Sequence, residues 1–292
     1  MKNKIKLVII ILLFYIIFYS HIALINKDTF NTLLNTFIPS LLPLFIISNI
    51  FIESDGITYL YNKLKTSKLK RQLFYFFICF ILLNIGIPGS INIINKLHNT
   101  HLLNDKNKNA LLYSLGTTSF PFVYGICLNN VTDKKLSLFI LIIYLLVNVS
   151  FLYFLDFKID FNQNPKITKV SNKEIINKSI NVSIKNIAII SITILMSSSV
   201  LFLLNNIPEP FNYYIEGFIE FSYSSYNLSL SKNNVAIILM ISTLTFPSLS
   251  TLIQIKLIDT NFKIIPFITK RCLISITIVI LFIFFSFFYI FK

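Results

Sequence analysis

Long apolar runs separated by short polar loops dominate the chain, and many of the runs have membrane length. A helix that crosses the hydrocarbon layer needs about 20 apolar residues, and residues 5–25, 73–94, 136–157, 187–204, 235–255 and 268–291 fit that requirement. Two further runs are interrupted. Residues 33–52 carry Pro39 and Pro43, which remove backbone donors and predict a kinked helix. Residues 110–128 hold Gly116, Pro121 and Gly125 around Thr117, Thr118 and Ser119. Non-helical backbone at membrane depth survives only inside protein or against a wet cavity, so this run is either a broken span or a re-entrant hairpin. The pattern predicts an all-α, polytopic membrane helix bundle with about seven to nine membrane segments.

The interruptions are paired. Thr117-Thr118-Ser119-Phe120-Pro121 is copied as Thr243-Leu244-Thr245-Phe246-Pro247 at an offset of 126 residues, and Lys106/Lys232, Asn107/Asn233 and Ala110/Ala236 coincide at the same offset. Paired, proline-broken apolar segments in the two halves of a membrane protein point to a solute site near the bilayer midplane. The expected organisation is an N-terminal anchoring helix over residues 1–28, a first repeat over 29–157, a linker over 158–178 and a second repeat over 179–292.

Composition strengthens the membrane reading. The chain is 55% hydrophobic and only 13% charged, with 30 Phe and no Trp, and its mean hydropathy is +0.73. The formal charge of +14 is read as a record of topology, not as a nucleic-acid surface. Lys2, Lys4 and Lys6, then Lys63, Lys65, Lys68, Lys70 and Arg71, predict a cytoplasmic N-terminus and an outward turn at residues 26–32. The linker lysines Lys166, Lys169, Lys173, Lys178 and Lys185 predict a cytoplasmic linker, a parity that favours a hairpin over residues 110–128. In the second half Glu209, Glu216 and Glu220 suggest an external stretch, while Lys256, Lys263, Lys270 and Arg271 suggest an inward crossing, so the relative orientation of the halves stays open. The first apolar run is longer than a signal-peptide core and lacks a small-residue cleavage pattern, so it is expected to be a retained anchor. Cys79, Cys127 and Cys272 are odd in number and lie in apolar segments, which predicts buried thiols and no disulfide framework.

Candidate chemistry gathers at the interruptions. In Leu83-Asn84-Ile85-Gly86-Ile87-Pro88-Gly89-Ser90-Ile91-Asn92, Gly86 and Gly89 permit close approach and Pro88 frees backbone carbonyls. The segment is either a broken helix facing a ligand or a packing kink. Thr117, Thr118, Ser119, Thr243, Thr245, Ser248, Ser250, Thr251 and Gln254 supply uncharged donors and acceptors, suited to a neutral polar solute or a dehydrated ion. Taken singly, each hydroxyl is better explained by a bond to its own helix or across to a partner helix; the recurrence of the cluster in both halves is what points to a site. Glu216 and Glu220, four apart, read as a solvated helix face, and without a midplane carboxylate proton-coupled transport loses support. His98 and His101 with Asp105 read as a chance loop pair, so no metal, cofactor or catalytic residue is expected. No phosphate loop, nucleophile elbow or zincin motif occurs, and the chain is not expected to be an enzyme.

Several landmarks then fall in a familiar order. Phe37-Ile38-Pro39-Ser40-Leu41-Leu42-Pro43-Leu44-Phe45 resembles the Pro-Ser-Leu-Leu-Pro-Phe opening of the sporulation integral membrane proteins of YlbJ type, within the group that carries nucleoside-recognition Gate helices. Gly86-Ile87-Pro88-Gly89 is similar to that family's Gly-Tyr-Pro-x-Gly turn. Thr117-Thr118-Ser119-Phe120-Pro121 looks like its Asn-Thr-Ser-Asn-Pro segment, and Phe246-Pro247-Ser248-Leu249-Ser250 with Gln254 looks like its Phe-Gly-Gly-Leu-Ser segment with a later Gln. The pattern departs from the family at Phe120, Pro247 and Ser248, and no Gly follows Glu220. The resemblance implies two Gate-like repeats and a multi-pass cell-membrane protein of the mother cell around the forespore. Its expected partners are the lipid bilayer, a small polar solute and, as a homo-oligomer or otherwise, other sporulation membrane proteins. By this reading Gly86, Pro88, Gly89, Asn92, Thr117, Thr118, Ser119, Glu220, Thr243, Thr245, Ser248 and Gln254 bind or move the solute. The alternative is a non-transporting scaffold that recruits spore-envelope or cell-wall enzymes through its basic loops.

Overall fold

A computed structural model of the chain describes residues 2–167, 170–199, 201–204, 207–231 and 233–290. Lys169 of the linker and Lys232 of the paired positions lie outside the described residues. The helices are α1 (Lys2–Ile17), α2 (Tyr19–Thr32), α3 (Ile38–Glu53), α4 (Gly56–Leu64), α5 (Lys68–Ile85), α6 (Gly89–Asn99), α7 (Asp105–Leu115) and α8 (Lys134–Phe154). After the linker follow α9 (Asn172–Ser198), α10 (Phe211–Ile219), α11 (Phe221–Leu230), α12 (Asn234–Thr245), α13 (Leu249–Ile258) and α14 (Ile264–Ile290). No strand occurs among the described residues.

Among the described residues, five segments are long and apolar enough to cross a membrane: Tyr19–Glu53, Lys134–Phe154, Asn172–Ser198, Asn234–Ile258 and Ile264–Ser286. At 1.5 Å per residue the 21 residues of α8 span about 31 Å, close to the hydrocarbon thickness. The burial pattern is that of a protein dissolved in lipid. Ile47, Phe76, Phe80, Leu146 and Ile192 are exposed, whereas Ser90, Ser114, Asn148, Ser183 and Ser225 are buried. On α9 the residues Ser179, Ser183, Asn186, Ile190, Thr193 and Ser197 are all buried, at alternating spacings of four and three that keep them on one helix face. Small residues there let helices approach, and Asn49 of α3 donates to Ser183 at 2.9 Å.

Hydrogen bonds fix two opposite ends of the bundle. At one end Tyr61 donates to the Asp160 carbonyl, Asp160 N to Leu102 O, Lys96 pairs with Asp55, Lys178 with Glu53, and Lys108 with Asp259. Lys106 and Lys158 also meet there on Asp156, whose carboxyl is held below its ordinary range, chiefly by the hydrogen bond from Lys158. At the other end Asn26 lies against Ser198 and Ser199, and Asn130 donates to Ser229 at 2.8 Å. We call these the basic end and the far end.

This geometry corrects several expectations. The outward turn expected at residues 26–32 is helical: α2 continues through a π-helical turn, Leu33–Phe37, into α3. The expected anchor over residues 5–25 is interrupted at Phe18, between α1 and α2. The 110–128 run is not a hairpin. It starts at the basic end as α7, opens at residues 116–119, and resumes as a π-helical turn, Phe122–Cys127, that reaches the far end at Asn130. The segment that turns back is 73–94. There α5 leaves the basic end, the chain reverses at Gly86 to Pro88, and α6 returns so that Lys96 meets Asp55. In the second half α10 and α11 also form a hairpin, whose tip is Glu220, and α11 ends beside Asn130 at the far end. Finally, α9 begins at Asn172, inside the expected linker, because Ser171 caps it by accepting from Glu174 N.

Candidate functional site

Every interruption in the apolar segments brings unpaired backbone groups into a region without water, so each group must find a protein partner. The partners come from the other interruptions. Ile87 N, at the first hairpin tip, donates to Thr117 O at 3.1 Å. Thr118 Oγ1 donates to Leu244 O at 3.0 Å, joining the two broken crossings at residues 126 apart. Tyr144 of α8 donates to Thr118 O at 2.7 Å. Its hydroxyl proton being committed there, the Thr117 hydroxyl 2.9 Å away must be the donor of the second contact. Gly86 has φ +64°, and a Cβ there would lie 2.5 Å from Ser119 N, so a bare backbone is what lets the hairpin tip touch the broken crossing.

At the centre stands Arg271 of α14, only 2% exposed. Nη1 donates to Ser114 O and Asn148 Oδ1, and Nη2 to Thr117 Oγ1 and Thr245 O, at 2.7–3.1 Å. Ser114 O and Thr245 O are among the last carbonyls of α7 and α12. A helix C-terminus carries roughly half a negative charge, so two of them together match one guanidinium. The cation is thereby balanced without a carboxylate, and the planar fork bridges both broken crossings and α8.

Two small cavities flank this contact. One is lined by Ile87, Thr118, Thr251, Phe246, Pro247 and Arg271 among others, the second by Phe37, Phe45, Ser119, Phe122, Ser222 and Gln254 among others. Each holds about 20 Å³, room for one or two water molecules. Neither has room for a larger solute in this conformation.

The structure therefore brings Thr117, Thr118, Ser119, Thr245, Gln254 and the Gly86 to Pro88 turn together, but not all the expected residues. The second-half break falls at Phe246 and Pro247, so Thr243 and Thr245 lie in the last turn of α12. Thr243 donates to Met240 O of its own helix and packs against Gly217, away from the cavities. Ser248 caps α13 by accepting from Thr251 N and meets Ser250 and Thr251 through hydroxyl contacts of 2.9 Å. Gly89 packs on Phe45 and Ile85, and Asn92 does not line either cavity. Gln254 lines the second cavity and donates to Thr193 at 3.0 Å.

Glu216 and Glu220 are not a solvated face: they are 3% and 1% exposed. Glu220 caps α11, its Oε2 accepting from Tyr223 N at 2.7 Å. Arg271, expected on a cytoplasmic flank, is instead buried in the bundle. The signal that separates it from the adjacent Lys270 is helical phase, because Phe267, Arg271, Ile274 and Ile278 share the buried face of α14. Tyr144 and Asn148 were likewise hidden within an apolar span. Away from this centre, His98 sits 3.0 Å from Asp105 at the basic end, and Cys127 is buried while Cys79 and Cys272 are partly so. No family model, curated protein or solved structure matches the chain.

Proposed function

We propose that the chain is an integral membrane protein of transporter type that holds a small, neutral polar solute where its broken segments meet. Its motif order further leads us to assign it to the sporulation proteins of YlbJ type. The observation that carries the reading is the contact between the two broken crossings, Thr118 Oγ1 to Leu244 O, with Arg271 bridging both. Such a polar interior, lined by interrupted helices from both halves, is how membrane proteins hold solutes at mid-depth.

The order of elements supports two Gate-like repeats of opposite orientation. Each half runs long helix, hairpin, broken crossing, long helix. The first hairpin enters from the basic end and the second from the far end, and the broken crossings run antiparallel. Lysines crowd the basic end, which favours the cytoplasm for it. Among the described residues, the five apolar segments are joined by the first broken crossing and the two hairpins in the membrane-embedded part of the two halves. A neutral guest fits because the helix termini already offset the charge of Arg271. Loading requires the hairpin tips to part, since each cavity holds only about 20 Å³.

The test uses purified protein and a panel of neutral nucleosides, polyols and amides scored by thermal stabilisation, with spore resistance measured in parallel. Thr118→Ala combined with Gln254→Ala should abolish both stabilisation by the active solute and resistance, whereas Thr243→Ala should retain both. Full stabilisation and resistance in the double variant at normal abundance would overturn the assignment.

A further inference from the structure

The second hairpin carries titratable groups that the solute reading does not use. Glu209, before α10, accepts from the Tyr213 hydroxyl at 2.9 Å and is exposed toward the far end. Tyr213 and Glu216, three apart, lie on one side of α10, and Glu220 is the extended residue that closes the helix, its N–H donating to Glu216 O at 2.8 Å. Burial increases along the series, from exposed Glu209 through half-buried Tyr213 to Glu216 and Glu220, at 3% and 1% exposure.

The two inner carboxylates differ in their partners. Glu220 is satisfied: Tyr223 N donates to Oε2 at 2.7 Å and Ser250 Oγ to Oε1 at 3.4 Å, and its charge faces the positive N-terminus of α11. Glu216 Oε1 has no hydrogen-bond partner among the described residues. Two adjacent buried carboxylates do not both ionise, and an unsolvated carboxylate without donors takes up a proton instead.

The surroundings contain no described cation that would change this. From α11 the titratable neighbour is Tyr223, on which Asp28 of α2 also acts. The α12 residues packed on α10 are Thr243 and Ser242, and α12 has no charged residue. On α13 Ser250 faces Glu220, while Lys256 is turned to the carbonyls of Thr260 and Phe262. Beyond Glu220 the hydroxyls of Ser250, Ser248 and Thr251 follow in contact, and Thr251 lines the cavity beside Arg271.

We propose that Glu216 and Glu220 form a proton-binding pair at the tip of the second hairpin, loaded from the far end through Glu209 and Tyr213. The proton resides on Glu216 and the charge on Glu220, and the Ser250, Ser248, Thr251 series joins the pair to the solute cavity. This deepens the transporter reading by giving it a coupling ion: with the proton bound, the closed tip carries a single charge, on Glu220 against Ser250, and release, which would leave two buried charges, requires the tip to open to water.

The test needs no solute, so its failure is distinguishable from failure of the solute site. The full chain in liposomes is titrated with pH by infrared spectroscopy, with choline replacing sodium and then with sodium added. The expected result is a protonated-carboxyl band that persists at neutral pH, disappears in Glu216→Gln and survives in Glu209→Gln. In Glu220→Gln, whose neighbouring charge is gone, the midpoint of the band should move to lower pH. An absent band, a band indifferent to Glu216→Gln or a midpoint unmoved by Glu220→Gln would overturn the proposal. A band erased by sodium at constant pH would overturn it in favour of a metal-cation site.

Discussion

Replacing Arg271 with Met tests whether one guanidinium holds the two broken crossings together. The change removes four hydrogen bonds from a buried charged group, each worth about 1.5–3 kcal/mol in net terms. Their sum overstates the effect, because the variant also escapes the desolvation penalty of a buried cation, which is several kcal/mol. What remains is the cost of stranding Ser114 O and Thr245 O at helix ends in a dry interior, about 1–3 kcal/mol for each, together with the freed Thr117 and Asn148 side chains. The net loss is then about 3–5 kcal/mol. At about 2–4 °C per kcal/mol for a domain of this size, melting should fall by about 6–20 °C. The assay is heating in detergent followed by size-exclusion of the surviving fold. Arg271→Lys keeps the charge, but an ammonium cannot reach acceptors on both crossings, so it should recover less than half of the loss. Lys270→Met, a half-buried neighbour off that face, should move stability by no more than about 0.5 kcal/mol. An Arg271→Met protein melting within about 2 °C of the wild type would show that the bridge contributes little and that the crossings are held by packing.

Two further outcomes follow from the backbone. Gly86→Ala should cost about 2 kcal/mol or more, because its positive φ and the approach of Ser119 leave no space for a Cβ, and should lower the yield of folded protein in membranes. Gly125→Ala, where a Cβ meets nothing within 4 Å, is the matched control. Asn130→Cys paired with Ser229→Cys should form an oxidant-induced cross-link in native membranes, with both positions labelled from the side opposite Lys65→Cys. Failure of that pair to cross-link would refute the returning second hairpin.

The membrane class and the positions of the breaks were legible because Gly, Pro and clustered hydroxyls stand out inside apolar runs. The pairing of residues 117–121 with 243–247 was legible as well, and Thr118 does reach Leu244. Which segment doubles back was not, because a hairpin and a crossing can share length and hydropathy. Contacts between remote residues, such as Lys96 with Asp55 and Asn130 with Ser229, decide the matter. Charge counting misplaced the hairpin because the parity between the basic residues of 63–71 and the linker lysines is the same whether 73–94 or 110–128 doubles back. Arg271 lies near the start of the last apolar run and Glu216 inside the short helix α10, and only the phase of the buried face distinguishes them from flanking charges. The repeated Thr243 was misleading for the opposite reason: a hydroxyl at an equivalent position can bond back to its own helix.

The position of Arg271 in the sequence also affects biosynthesis. The helix that carries it is synthesised after both of the broken crossings whose carbonyls its guanidinium completes. Until α14 enters the membrane, the severed ends of the earlier helices lack their counter-charge, so the interior closes only after α14 has been made. A truncation before α14 would leave a product for the quality-control machinery rather than a smaller working protein.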